Sequence, residues 1–164
     1  MLSAPVPLAD HHHLAEFSSG VVGLDDWLER RALANQASGA SRTFVVRDAD
    51  KIAGYHALAA GGVNIAAAPG RFRRNMPDPI PVVILARLAV DRGYQGRGLG
   101  RALFQDGAKR VVHAADAIGI RGILVHAISE SARAFYLALG FEPSSFDPMT
   151  LMITLADVRK SLES

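Results

Sequence analysis

An apolar run from Val82 to Val90 leads through Asp91-Arg92-Gly93-Tyr94-Gln95 into Gly96-Arg97-Gly98-Leu99-Gly100, and from there into a long amphipathic pattern. That order predicts a buried strand, a glycine-rich turn and a helix at mid-chain. Glycines at 96, 98 and 100 leave no side chain where the backbone must come close to something, and a helix opening there aims several unpaired N–H groups at one spot. An anion fits that spot, a phosphate or pyrophosphate above all. A bare glycine pattern, taken alone, reads as a simple helix cap. What sets this one apart is the spacing Gln95-x-x-Gly98-x-Gly100, behind a strand that ends in an apolar residue and an acid. A dinucleotide-binding fold would place its glycine turn after the first strand, with an acid about 20 residues on, and here the turn is central. A Walker loop would require Gly-Lys-Ser/Thr, which the stretch lacks.

The rest of the composition narrows the choice. At 164 residues, about half of them apolar, the chain suits one well-buried domain, 1–164, and is short for two. It has no cysteine, so disulfides, thiolate metal sites and cysteine nucleophiles are excluded. No signal-like start is visible and no apolar run approaches the roughly 20 residues of a membrane span, so a cytoplasmic protein without a membrane role is expected. His11-His12-His13 cannot all face one ion and no matching ligand spacing exists elsewhere, so the segment reads as surface and no metal is expected. The formal charge is only +2, yet basic residues cluster at Arg30-Arg31, Arg71-Phe72-Arg73-Arg74, Arg97, Arg101 and Lys109-Arg110. About half of such charges belong to a solvated surface; the remainder suit phosphates or a polyanion.

Taken in order, residues 1 to 20 read as loop. A helix follows from Leu24 to about Gln36, with Asp25 and Asp26 in its first turn, Asp26 spaced to pair with Arg30, and Ser38-Gly39 as its stop. Thr43 to Arg47 and Ile52 to Ala60 form an antiparallel hairpin across Asp48-Ala49-Asp50, the second strand broken by Gly61-Gly62. Val63 to Ala67 suits a short strand, and Pro69 to Pro81 an irregular loop. After the central strand, the helix from about Gly98 to Ile118 places Leu99, Leu103, Val111, Ala115 and Ile118 on one face. Arg121 to Ile128 is a further buried strand. Ser129 caps a helix through Leu139 with Gly140 as its stop, Thr150 to Leu155 closes the sheet, and Asp157 to Leu162 is a short charged helix. His126, at a strand end, reads as a buried structural histidine. By pattern alone Tyr136 reads as core.

The glycine turn resembles motif A of the GNAT superfamily, the acyl-CoA-dependent N-acetyltransferases. A second stretch, Ser129-Glu130-Ser131-Ala132-Arg133-Ala134-Phe135-Tyr136-Leu137-Ala138-Leu139-Gly140-Phe141, resembles the superfamily's later motif, with Ser129 standing where Asn is usual. The resemblance covers most of the chain and implies an α+β fold, a mixed central sheet with splayed central parallel strands flanked by helices. It implies acetyl-CoA as cosubstrate. Backbone at Leu88, Ala89 and Val90 would hold the pantetheine arm and the oxyanion, and Gln95, Gly96, Arg97, Gly98, Leu99, Gly100 and Arg101 the pyrophosphate. Ser129, Phe135 and Tyr136 would line the same site, with Tyr136 protonating the departing thiolate. A phenol, with its pKa near 10, is protonated at neutral pH and can serve as that acid.

A narrower resemblance runs through Phe17-Ser18-Ser19-Gly20, Leu24-Asp25-Asp26-Trp27-Leu28, Ala34-Asn35-Gln36, Gly39-Ala40-Ser41-Arg42-Thr43, Gly54-Tyr55-His56-Ala57-Leu58-Ala59, Asn75-Met76-Pro77, Pro79-Ile80-Pro81-Val82 and Leu85 to Asp91. These segments are similar to the GNAT toxins of bacterial toxin–antitoxin pairs, which acetylate the α-amino group of aminoacyl-tRNA. The resemblance implies a homodimer and a ribbon-helix-helix antitoxin. On this reading Arg30, Arg31, Arg71, Arg73, Arg74, Lys109 and Arg110 are the candidates for tRNA contact. Two alternatives stand beside it. An acetyltransferase for a small amine or a protein N-terminus would need an acidic or apolar acceptor groove, and a non-catalytic acyl-CoA-binding module would have no use for an acid at Tyr136.

Overall fold

Strand, turn and helix stand at mid-chain as expected in the computed structural model, which describes residues 1–163; Ser164, the last residue of the expected domain, lies outside the described residues. In chain order the elements are β1 (Val6–Pro7), α1 (Val22–Arg30), α2 (Ala32–Ser38), β2 (Arg42–Asp48), β3 (Lys51–Val63), α3 (Gly70–Arg73), β4 (Ile80–Val90), α4 (Leu99–Ala114), β5 (Gly122–His126), α5 (Glu130–Ala138), β6 (Glu142–Pro143), β7 (Thr150–Thr154) and α6 (Leu155–Glu163). Among the described residues the strands form a mixed sheet ordered β1-β2-β3-β4-β5-β7-β6. Contacts gather the chain into two compact units, residues 1–59 with 86–107 and residues 60–85 with 108–164.

In the first unit the expected single helix over Leu24–Gln36 is two, because Arg31 leaves the helical region at φ −120° and separates α1 from α2. Gly39 then stops α2 at φ +85°, a left-handed position glycine reaches without strain. The acid that matters is Asp25 and not Asp26: its carboxylate accepts from the Ser19 amide at 3.0 Å and hydroxyl at 2.6 Å. β2 and β3 form the expected hairpin, with Ala49 at φ +54° in its turn. The core packs Leu8, Phe17, Leu28, Val45 and Ile52 around Tyr55, whose ring meets Phe17 edge-on and stacks on Trp27, and whose hydroxyl donates to the Leu24 carbonyl at 2.7 Å. A second cluster joins Val46 and Ala53 to Leu99 and Leu103, pinning the first turns of α4.

β3 does not break at Gly61-Gly62. It continues to Val63, and its glycines answer to crowding: a Cβ on Gly61 would sit 2.5 Å from Ile84 Cδ1, and one on Gly62 3.2 Å from Pro79 Cβ. Residues 65–67 form a single 3₁₀ turn and not a strand. The segment expected as irregular holds α3, which buries Phe72 against Ile80, Val82, Leu124 and Met152 in the core of the second unit. α4 ends at Ala114, and three-residue turns through Ala117 leave Ile118 60% exposed, off the buried face assigned to it. β5 pairs in parallel with β4 at Val82–Ile84 against Gly122–Leu124, and antiparallel with β7 along its whole length. The two-residue strands β1 and β6 have too little pattern to be seen in sequence, and α6 starts two residues before the expected Asp157 because Leu155 and Ala156 continue it.

Gly122 is the tightest point of this second unit. A Cβ there would overlap the Ile153 carbonyl oxygen and approach the Phe72 ring to 2.8 Å, and neither β7 backbone nor a core ring yields easily. Gly122→Ala is expected to cost about 3 kcal/mol or more, read by urea denaturation; a cost below about 1 kcal/mol would show that the β5–β7 ladder is looser than described.

Candidate active site

The first group of the expected site residues forms the turn between β4 and α4. Asp91, 3% exposed, is its anchor: its carboxylate accepts from the Gly93 amide at 3.0 Å and the Ser18 amide at 3.0 Å, and Lys51 Nζ lies 3.7 Å away. Its own N–H donates to the Ala53 carbonyl at 2.8 Å, and the next N–H, of Arg92, to the Ser18 carbonyl at 2.8 Å. The Gln95 side chain donates to the carbonyls of Ser19 at 2.8 Å and Val90 at 2.9 Å, so its amide braces the turn. Val90 keeps a second carbonyl lone pair for another donor.

Beyond that brace the backbone is shaped by glycine. Gly96 and Gly98 both lie at φ +79°, while Arg97 between them does not enter the left-handed region. Alternation of this kind turns successive N–H groups toward one side and makes an anion-binding concavity. A Cβ built on either glycine meets nothing within 4 Å, so the residues are glycine for conformation and leave an open face in front of the turn. α4 begins directly behind it at Leu99, 7% exposed, and adds the positive end of its dipole. Arg97 and Arg101 are exposed beside it, Arg97 lying 5.3 Å over the Tyr94 ring. The Tyr94 hydroxyl donates to Asp48 at 2.6 Å, an acceptor bond that holds the Asp48 carboxyl below its usual pKa and raises that of the phenol. On β4 itself Leu88 and Val90 are half-buried and Ala89 is buried.

A second group of the expected residues lies on α5, in the other unit. Ser129 caps this helix as expected, accepting from the Ala132 amide at 3.1 Å. Tyr136 is 6% exposed, its ring held edge-on between Phe135 at 5.1 Å and Phe141 at 5.4 Å. Burial alone pushes the Tyr136 phenol well above its ordinary pKa, and its hydroxyl has no hydrogen-bond acceptor among the described residues. The side chain is therefore both a core residue and an unpaired neutral O–H donor.

His126 is not buried. It stands exposed at the end of β5, its Nδ1 2.9 Å from Thr150 Oγ1. Thr150 donates its one hydroxyl proton to Asp147 at 2.8 Å, so Nδ1 is the donor to Thr150 and Nε2 carries the lone pair of the neutral ring. Asp147 is kept below the usual carboxylate pKa, first by the Met149 amide and then by Thr150. The buried histidine is instead His56, fully enclosed, with Nε2 2.8 Å from Asp106. A histidine inside an apolar strand, 50 residues from its acid, gives no sequence signal of that pairing.

The expected tRNA-contact residues are distributed over both units. Arg30 and Arg31 are exposed at the end of α1 in the first unit, while Lys109 is exposed and Arg110 half-buried on α4 in the second. Arg71 and Arg74 line a pocket of the second unit together with Arg121, which sequence reading had left in a strand, while Arg73 is exposed beside them. Among the described residues no group of three or more His, Cys, Asp or Glu is placed to hold a metal, and no helix is long and apolar enough to cross a membrane.

Known proteins resemble this chain along most of its length. Residues 39–143 match the acetyltransferase (GNAT) domain. A tRNA-acetylating toxin of Mycobacterium tuberculosis is 54% identical over 157 residues, 96% of this chain and 95% of its own. Among solved structures, AtaT complexed with acetyl-methionyl-tRNAfMet aligns at 27% identity with a TM-score of 0.89, covering 98% of each chain. A Tyr-to-Phe variant of AtaT, bound to the C-terminus of the antitoxin AtaR and acetyl-CoA, aligns at 26% identity with a TM-score of 0.82 over 100% of this chain and 99% of that one.

Burial of Tyr136 and of Tyr55, whose phenol is likewise raised above its ordinary value by burial, has a consequence for stability at alkaline pH. Unfolded phenols ionise near pH 10 and the folded ones only above it, so this contribution is intact below pH 10 and is lost as pH rises beyond it. Denaturation midpoints between pH 8 and 11 are expected to hold and then fall; Tyr136→Phe is expected to soften the fall, and an unaltered fall would show that the phenol is not buried.

Proposed function

This chain belongs to the GNAT acetyltransferase family, and we propose that it is a toxin that transfers the acetyl group of acetyl-CoA to the α-amino group of aminoacyl-tRNA, blocking translation. The observation that carries the reading is 54% identity, across nearly the full length, to a tRNA-acetylating toxin. AtaT, with acetyl-methionyl-tRNA bound in one structure and acetyl-CoA with an antitoxin segment in another, shares the fold. The family match runs through residues of both compact units, which supports treating 1–164 as one catalytic domain.

In this reading the amides from Gln95 to Arg101 hold the pyrophosphate on the open face over Gly96 and Gly98. Backbone at Leu88 and Val90 holds the pantetheine arm, beside Ser129 and Phe135, and N–H groups near Ala89 and Val90 stabilise the oxyanion. The neutral α-amine attacks the thioester carbonyl; as the C–N bond forms, the C–S bond breaks and its electron pair leaves on sulfur. Tyr136 gives its unpaired proton to that thiolate and is reprotonated from the new ammonium. An α-amine with a pKa near 8 is partly neutral at cellular pH, so no strong base is required. The same reading includes a homodimer, a ribbon-helix-helix antitoxin and a cytoplasmic location, where charged tRNA is found. The rival reading takes a small amine or a protein N-terminus as acceptor.

Gly98→Val is expected to raise the acetyl-CoA dissociation constant at least tenfold, since a side chain would fill the open face. Gly39→Val, equally left-handed at φ +85° with open space around it, controls for backbone strain. Equal calorimetric affinities in the two folded variants would remove the turn from the site.

Substrate choice is tested with radiolabelled acetyl-CoA and charged tRNA, uncharged tRNA, polyamines, aminoglycosides and N-terminal peptides. Label is expected in charged tRNA alone, with transfer rising through the pKa of the amine. Tyr136→Phe is expected to bind acetyl-CoA normally and to lose turnover by about 10²–10⁴-fold. Label only in small amines or peptides would overturn the toxin reading, and near-normal turnover would return Tyr136 to the core.

A further inference from the structure

The second unit carries a basic pocket that the acetyl-transfer machinery does not use. It has a volume of about 390 Å³ and is lined by Arg71, Arg74, Asn75, Met76, Arg121, Thr154 and Ala156. Each arginine stands there in a different state. Arg121 is fixed: Nε donates to the Phe72 carbonyl at 2.8 Å and one terminal nitrogen to the Arg71 carbonyl at 2.6 Å, with the guanidinium 5.9 Å over the Phe72 ring. Its backbone is tied as well, N–H to the Pro81 carbonyl and C=O to the Leu155 amide, so the charge cannot swing away. Arg71 is matched by Asp157, each of its terminal nitrogens 3.1 Å from a carboxylate oxygen. Arg74 is exposed and has no acidic partner among the described residues.

Three guanidinium groups against one carboxylate leave the pocket with an excess of two positive charges. Such an excess, held partly by fixed donors in a concave wall, is complementary to an anion that accepts several N–H bonds at once. The neighbouring residue Arg73 is exposed as well, so the positive surface continues past the rim. A single small anion would leave that extension unused. A polymer with a charge at every step would occupy both.

We propose that the Arg71–Arg74–Arg121 pocket seats a backbone phosphodiester of the tRNA substrate, with Arg74 as its free contact and Arg121 as its fixed one. The proposal rests on the tRNA reading above and adds to it a named anchoring point away from the Gly96–Gly98 turn. Arg71, already neutralised by Asp157, shapes the wall and contributes little net charge. Of the basic residues singled out in sequence, Arg74 therefore matters most within this pocket.

The test measures binding of uncharged tRNA by fluorescence anisotropy from 50 to 300 mM salt, for the wild type, Arg74→Glu and Arg74→Lys. Arg74→Glu is expected to weaken binding about tenfold and to lower the log–log salt slope by about one. Arg74→Lys, which keeps a point charge, is expected to retain the slope and most of the affinity. Thermal unfolding and acetyl-CoA affinity, measured on the same samples, are expected to stay at wild-type values and so to separate lost binding from lost folding.

Inorganic phosphate, titrated while the arginine side-chain resonances are followed, separates the two sources of this chemistry. Binding of phosphate at Arg74 with no effect of Arg74→Glu on tRNA would make the pocket a free-phosphate site and overturn the proposal. Loss of inhibition by the antitoxin, with tRNA binding intact, would overturn it in favour of a protein partner. A wild type that binds tRNA with the predicted Arg74 dependence yet labels no charged tRNA would sink the acetylation reading and leave the pocket standing.

Discussion

One buried carboxylate fixes the shape of the glycine-rich turn between β4 and α4. Asp91 follows the last residue of β4 and accepts the Gly93 amide in front of it and the Ser18 amide from a segment 73 residues earlier in the chain. An acceptor so placed does two things: it satisfies N–H groups that the abrupt end of the strand leaves without a ladder, and it ties the turn to the N-terminal loop. Gln95 repeats the device from the other side by bridging Ser19 and Val90. With both anchors in place, Gly96 and Gly98 can hold left-handed conformations in front of the first turn of α4 while their faces stay open. A loop without these ties would lose its ordering of N–H groups to chain entropy.

This explains which parts of the chain were legible. The mid-chain strand, turn and helix carry strong local signals, apolar run, paired glycines and a 3.6-residue pattern, and the structure has them within a few residues. Ser129 and Gly140 likewise announce the ends of α5 through capping chemistry that acts at short range. Failures fall where tertiary packing overrides the local rule. Gly61-Gly62 looks like a break and is a crowded strand, because β4 side chains fill the space that a Cβ would need. Arg31 divides a periodic helix without a glycine or proline to signal it. His126, expected buried, is exposed, and the buried histidine is His56, since alternation along a strand does not say which face a neighbouring helix covers.

The site residues divide in the same way. Tyr136 could be read as core or as acid, and the geometry accommodates both: its ring packs edge-on between Phe135 and Phe141, and burial raises the pKa of its phenol. Gln95, expected among the pyrophosphate-holding residues, has a side chain that braces the turn by donating to the carbonyls of Ser19 and Val90.

Net charge conceals how the basic residues are deployed. The sequence total of +2 would suggest weak attraction for a polyanion. Acids, however, are drawn into particular pairs: Asp157 meets Arg71, Asp48 meets the N-terminal amine, and Asp91 faces Lys51. Among the described residues these pairings leave Arg73 and Arg74 without a carboxylate partner on the surface of the second unit. Electrostatic attraction falls off within about 8–10 Å at physiological salt, so a ligand responds to these local excesses and not to the sum. A chain nearly neutral overall can thus present separate cationic places, each built by the local structure around it.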